Sequence, residues 1–348
     1  MGIITDFNKW DLEKGQWIAP NPSQYGRSFA FANYENIIND PSKNINYIII
    51  SAGTRVEDHT KKFQEIKENK VRIDYVLDYL KHKKENYCVM LYLMDADAPI
   101  IEDAKLFAEY IDGLSILPTT NSINLINLSK CSAMNFYVPR FFQNEISFKK
   151  TNMYNIASPY AGTKMASPAI FYPEVEKLVH GKINNNLLAN FVYNNLIKIY
   201  ESVSSNSHMD YDIAIPGGVF DEKKDVYDEN FIKNIFSEEN ITSIKQLNTF
   251  KNLITGIDGN TLDEAIKTKN FTGIGLCLLD KAFFQEKSDG MVYVFNQRKV
   301  EPILGIESIR LKSTHHAVNT ITRSMAEILG IVCDTIDEDD EKKVFYKK

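Results

Sequence analysis

Glycine and proline are missing from the one stretch of this chain where a connection most needs them. Between Ser122 and Met134 an apolar pattern passes from strand-like to helix-like, and neither residue supplies a loop. Such a connection has to be a tight corner. Other absences narrow the field further. The four cysteines, Cys88, Cys131, Cys277 and Cys333, form no Cys-x-x-Cys pair. Buried free thiols are therefore expected, rather than a disulfide framework or a zinc site. Positive charge is not in excess: the formal net charge is −6. That balance argues against nucleic acid or an anionic membrane as the main partner. No apolar run approaches the roughly 18 residues of a membrane span. The amino terminus lacks a basic segment followed by an apolar core, and Asp6 stands where a myristoylation signal wants serine or threonine. A soluble protein of the cytoplasm is expected. No Gly-x-Gly-x-x-Gly opens a helix, and neither Gly53-Thr54 nor Gly162-Thr163 leads into Gly-Lys-Ser/Thr, so no dinucleotide or phosphate cofactor is expected. Asp95, Asp97 and the cluster from Asp337 to Glu341 are carboxylates without a defined ligand geometry, and no metal is assigned to them.

What is present reads as a globular α/β chain. Of 348 residues, 44% are hydrophobic and 25% charged, enough for a large core. Asn46 to Ser51 and Tyr87 to Leu93 are continuous apolar runs, as expected of strands buried on both faces. Ile123 to Ile126 and Thr151 to Ile156 read as further strands. Helices are expected around Val71 to Leu80, over Ile100 to Tyr110 closed by Gly113, and over Lys130 to Phe142. This alternation predicts a mostly parallel sheet with helices on both faces, and such sheets carry reactive groups at the carboxyl ends of their strands. Residues 1–44 are expected to wrap one edge.

Residues 164–270 interrupt the pattern. They read as an apolar helix within Asn185 to Val203, a strand near 211–216, two short helices within Phe231 to Ile254, and another over Thr261 to Lys267. A cap over the carboxyl end of the sheet is expected there. The core, 1–163 and 271–333, would resume with a strand near Phe271 to Leu279. Glu307 to Leu311 would be the last strand, Val318 to Leu329 the last helix, and 334–348 a charged tail.

Ser129 sits at the corner described above. A serine on a sharp strand-to-helix turn has its hydroxyl pushed outward, at the positive end of a helix, which suits a nucleophile. The bland alternative is an N-cap. The five residues Asn127-Leu128-Ser129-Lys130-Cys131 resemble the G-x-S-x-G nucleophile elbow of α/β-hydrolases with both glycines replaced. Ala157-Ser158-Pro159-Tyr160-Ala161-Gly162-Thr163 resembles the small-Ser-Pro-aromatic-x-Gly-Thr turn of lipase- and esterase-like members. Asp289-Gly290-Met291-Val292 is similar to their Asp-Gly-x-Val acid loop. The resemblance implies an α/β-hydrolase fold and a serine hydrolase acting on carboxylic esters, small or lipid, without a cofactor. It implies the chain order Ser129, Asp289, then His315 or His316 as base, with His315 preferred. The oxyanion hole would use the backbone of Lys130 and of Thr54, in the Gly53-Thr54 loop. A thioesterase or acyltransferase with the same triad, or a catalytically silent binding protein, are the alternatives. The substitutions at Asn127 and Cys131 motivate the last.

Overall fold

The computed structural model describes residues 4–5, 16–19, 28–30, 44–54, helical positions within 76–80, 86–95, 100–163, 168–182, helical positions within 186–197, 234–267, 269–283, 287–311 and 322–334. Its centre is a sheet of nine strands: β1 (Ile4–Thr5), β2 (Gln16–Ala19), β3 (Ser28–Ala30), β4 (Ile45–Thr54), β5 (Asn86–Asp95), β6 (Thr120–Leu128), β7 (Thr151–Ile156), β8 (Thr249–Ile254) and β9 (Ile309–Arg310). The order is β1-β2-β3-β5-β4-β6-β7-β8-β9. From β5 to β9 all neighbours run parallel, while β1, β2 and β3 add antiparallel at the β5 edge. Within residues 1–44, the described residues form three short strands along this edge.

Parallel strands buried on both faces explain the continuous apolar runs. Along β4, Ile45, Tyr47 and Ile49 enter one core and Ile48 and Ile50 the other, following the two-residue period. On the first face lies α1 (Ile100–Ser115), whose Ala104, Phe107, Ala108, Ile111 and Leu114 recur at helical spacing and are fully buried. Each large side chain so buried contributes about 1.5–3 kcal/mol. The helix runs through Gly113 instead of stopping there. A mid-helix glycine costs only about 0.5–1 kcal/mol relative to alanine, less than the burial of Leu114 returns. On the other face, Ile328, Leu329, Val332 and Cys333 of the last helix pack with Val76 and Leu80.

Three further local expectations are corrected. The helix foreseen over Lys130 to Phe142 is α2 (Lys130–Asn135) followed by a 3-10 turn, Val138–Phe141. Pro139 lacks the N–H that a continuous helix would need. After α3 (Glu145–Lys150) and α4 (Pro168–Lys182), Phe231 to Ile254 holds α5 (Glu238–Lys245), but Thr249–Ile254 is strand β8 of the central sheet. The part of 164–270 available to a cap therefore ends before Thr249. After α6 (Gly259–Lys267), Phe271 to Leu279 is no strand but lies in α7 (Phe271–Phe283). Asn270 opens that helix, its Oδ1 accepting the Gly273 N–H at 3.0 Å. Leu276 and Leu279 face a third core with Val175, Val179, Met291 and Val292, whereas Leu278 is 46% exposed. The chain then forms α8 (Val294–Gln297), α9 (Val300–Leu304), β9 and α10 (Thr322–Asp334). The strand expected near 211–216 and the tail beyond 334 lie outside the described residues.

Candidate active site

Strand β6 ends at Leu128 and α2 begins at Lys130, so a single residue turns the corner. That residue, Ser129, has φ 55° and ψ −124°. A positive φ of this kind costs a non-glycine residue on the order of 1–3 kcal/mol and persists only where its surroundings impose it. The surroundings are visible. Ser129 N–H donates to Ile156 O at 2.9 Å, and Ser132 N–H donates to Ser129 O at 2.9 Å. The Ser132 hydroxyl lies between two strand ends, 2.8 Å from Asn127 O and 3.0 Å from Ile156 O. Ser129 makes no side-chain capping bond to α2 and is half-buried. The N-cap explanation of this serine therefore fails, and the strained corner remains.

Neither departure from the glycine pattern obstructs the corner. Cys131 is buried within α2. Asn127 points into the core beneath the corner, where its Oδ1 accepts from Asn135 Nδ2 at 2.6 Å and from the Ser51 hydroxyl at 3.1 Å. Its Nδ2 donates to Asn155 Oδ1 at 2.9 Å. The row continues from Asn155 Nδ2 to the Tyr160 hydroxyl at 3.1 Å and from that hydroxyl to Asn252 Oδ1 at 3.2 Å. Ser51, Asn127, Asn155 and Asn252 are register partners on β4, β6, β7 and β8, so one buried polar row crosses the sheet just below its carboxyl end. Sequence reasoning missed this row. Its signal was an asparagine near the carboxyl end of each of three strands, Asn127, Asn155 and Asn252, where asparagine is disfavoured.

The carboxyl ends are also tied through the backbone. Ala157 N–H donates to Leu253 O at 3.1 Å and Leu311 N–H to Ile254 O at 3.0 Å. Asp289 is held at this same edge. Its carboxylate is fully buried, with Oδ1 accepting the N–H groups of Met291 (3.0 Å) and Val292 (2.8 Å). Oδ2 accepts the Thr255 hydroxyl at 2.6 Å and Gln297 Nε2 at 3.0 Å. Gly290 has φ 94°, a conformation that favours glycine. The Ser-Pro-Tyr-Ala-Gly-Thr turn docks on this loop: the Thr163 hydroxyl donates to Met291 O, and Asn296 Nδ2 to Gly162 O at 3.2 Å. Burial pushes the neighbouring Asp280 carboxyl above its ordinary range, opposed by the Ser288 hydroxyl at 2.5 Å and reinforced by the charge of Asp289.

A second carboxylate follows β8, unforeseen in the sequence: Asp258. Its Oδ1 accepts the N–H groups of Asn260 and Thr261 and the Thr261 hydroxyl, at 3.0, 3.2 and 3.0 Å. It serves as the cap of α6.

Gly53 and Thr54 are not a loop but the last two residues of β4, paired with Met94 and Asp95 of β5. Pairing of β4 with β6 ends at Ser51 opposite Asn127, which sets Gly53 level with Ser129 beyond the last paired position. Lys130 opens α2 directly after the corner and is buried. His315 and His316 lie outside the described residues. The four cysteines are buried, and burial raises the thiols of Cys88 and of Cys277, the latter to about 11, which keeps both protonated. No group of three metal-ligating side chains occurs among the described residues, and no helix among them is long and apolar enough to cross a membrane.

No family model matches the chain, and no curated protein sequence matches it. Among solved structures it is similar to the mature lipase of Bacillus licheniformis, at 11% identity over 89% of this chain and 97% of that one, TM-score 0.40. It is similar to a protein of Burkholderia cenocepacia with a provisional aryl esterase assignment, at 10% identity over 88% and 95%, TM-score 0.38. A proline iminopeptidase-related protein of Thermus thermophilus gives 9% identity over 94% and 96%, TM-score 0.33. Six parallel strands sheathed by helices, with a serine at positive φ alone on the strand-to-helix corner, give this chain the α/β-hydrolase architecture.

Proposed function

We propose that the protein is a serine hydrolase that cleaves carboxylic esters through an acyl-enzyme on Ser129. The observation that carries this is the backbone of Ser129: at positive φ, bonded through both its N–H and its carbonyl, and without a capping bond to account for it. Strain of this kind, held by bonds on both sides of the residue, is accounted for when the hydroxyl has to stand clear of the fold.

In the proposed reaction the imidazole of His315 or His316 takes the Ser129 proton as Ser129 Oγ bonds to the ester carbonyl carbon. The tetrahedral oxyanion collapses, the alkoxide departs with that proton, and a water activated by the same imidazole releases the acid. Asp289 orients the imidazole. Its buried, multiply bonded carboxylate at the end of β8 supports this role. Chain reach supports the histidines: they begin four residues past Leu311, which is bonded to Ile254 at the same edge, and four extended residues span at most about 14 Å. The oxyanion would be met by the N–H of Lys130 and by the end of β4 at Gly53 and Thr54, level with the nucleophile. Substrate walls would come from a cap within the residues between 164 and 248.

A fluorophosphonate probe tests the reading. Labelling of the folded protein at Ser129, lost in Ser129→Ala together with hydrolysis of p-nitrophenyl butyrate, is the expected result. An unlabelled wild-type protein would instead favour a binding protein of this fold. Turnover of thioesters or amides in preference to esters would move the reading to a thioesterase or amidase with the same triad.

A further inference from the structure

Asp289 stands on a loop closed by two backbone bonds, Val294 N–H to Lys287 O at 2.9 Å and Asp289 N–H to Val292 O at 3.1 Å, which flank the bridge of Ser288 with Tyr293; Ile257 N–H, beyond β8, donates to Ser288 O at 2.8 Å. Its two carboxylate oxygens have partners of different origin. Oδ1 accepts the N–H groups of Met291 and Val292, a local turn that any aspartate in this position could make. Oδ2 accepts from Thr255, just past β8, and from Gln297, the last residue of α8. These two donors come from elements that the loop does not contain.

The Gln297 amide has one possible orientation. Its Oε1 accepts the backbone N–H of Thr255 at 2.8 Å, while Nε2 faces Thr255 O at 3.2 Å and Asp289 Oδ2 at 3.0 Å. Turned over, it would set N–H against N–H and oxygen against two oxygens. Gln297 therefore pairs with both backbone groups of Thr255 as a strand residue would, and its remaining donor is delivered to the acid. The Gln297 backbone carbonyl is fixed in turn by Asn252 Nδ2 at 2.7 Å, so the side chain is anchored to the row that crosses the sheet. Both Thr255 and Gln297 are fully buried. Two buried polar side chains converging on one carboxylate oxygen are costly to bring out of water unless that oxygen carries charge and has to keep its direction.

We propose that Thr255 and Gln297 are positioning residues: they fix the rotation of the Asp289 carboxylate from the body of the sheet and disperse part of its charge, and so set both the aim and the basicity of the imidazole it serves. This rests on the hydrolase reading given above and adds to it that the acid is aimed by β8 and α8 more than by its own loop. Asp280, bonded to Ser288, also feels the charge of Asp289, and neither variant below touches it.

The test uses Thr255→Val and Gln297→Met, which keep volume and remove the donors, with Thr255→Ser as the conservative partner. Rates with p-nitrophenyl butyrate are measured across pH, with thermal midpoints alongside. Loss of a donor leaves more negative charge on Oδ2, which favours the protonated imidazole. The acid limb of kcat/KM is then expected to move to higher pH in both variants. Loosened aim is expected to lower kcat by between about 10 and 10²-fold with KM within about twofold, and Thr255→Ser is expected to restore both. Folded variants with wild-type kcat and an unmoved acid limb overturn the proposal. So does a lowered kcat with an unmoved limb, which would mark a packing role. Should both donor-free variants fail to fold, Thr255→Ser decides alone, since a displaced limb with the hydroxyl retained contradicts the assignment. If Ser129→Ala remains active, the hydrolase reading itself fails. If Ser129→Ala is inactive while both donor-free variants behave as wild type, only this inference does.

Discussion

Ser129 takes its place from residues near it in the chain and from one neighbouring strand end: Asn127, Ser132 and Ile156. Asp289 takes its place from Thr255 and Gln297, which reach it from β8 and α8, and from a docked turn ending at Thr163. The corner holds strain in its backbone, and its bonds exist to contain it. The acid loop takes its positive φ at Gly290 and is held both by backbone bonds and by side chains from outside it. A local device leaves a short trace in sequence, whereas an assembled one leaves separate polar residues that gain meaning only when brought together.

Substitution tests can break this contrast or sharpen it. The largest effect is expected from Ser129→Ala, a fall in ester turnover of about 10⁴-fold or more with the fold intact by circular dichroism. Asp289→Asn should lower kcat by about 10⁴-fold, since the wrong imidazole tautomer is then held. Asp258→Ala should leave turnover within a few-fold and cost about 1 kcal/mol in urea unfolding, as for a lost helix cap. Reversal of those two outcomes would move the acid to Asp258.

Asn127→Gly brings the corner closer to the family pattern, yet is expected to destabilise by at least about 2 kcal/mol. It strands the buried donor groups of Asn135 and Ser51 and the Asn155 oxygen. Gly290→Ala would place a Cβ 2.7 Å from Leu276 O at φ 94°. More than about 1 kcal/mol of lost stability is expected, with reduced turnover as Asp289 shifts. The smallest effect concerns Ser129→Gly, which is expected to unfold at higher urea than Ser129→Ala by about 1 kcal/mol, the relief of the positive φ. Equal midpoints would mean that the corner stores no strain.

The parts of the fold that were legible are those whose burial is uniform. Strands β4 to β7 carry apolar side chains on both faces, and their runs announce them. Strand β8 was hidden because only its second half, Asn252 to Ile254, is buried, and β9 pairs with it only at Leu253 and Ile254. Its Lys251 and Asn252 read as helix or loop in isolation. The apolar run of α7 misled in the opposite direction, since a short continuous run does not separate strand from helix, and the cap residue Asn270 was the overlooked cue. In the site, Ser129 and Asp289 stood out through motif and chain order. Thr255 and Gln297 did not, because their partners lie across the sheet and no spacing along the chain encodes that.

The buried asparagines have a direction. On one face donors point from β6 towards β8, from Asn127 to Asn155 and through Tyr160 to Asn252. On the other they point back, from the exposed Asn248 to the buried Asn152 and on to Asn124. Each buried amide gives with one end and receives with the other, so none of them can be turned over without disturbing its row. Deamidation at Asn155 would replace a giver with a group that only receives, facing the Ser132 carbonyl oxygen it now serves. Ageing damage at that single position would therefore be felt at both ends of the row, beneath the serine and beside the acid.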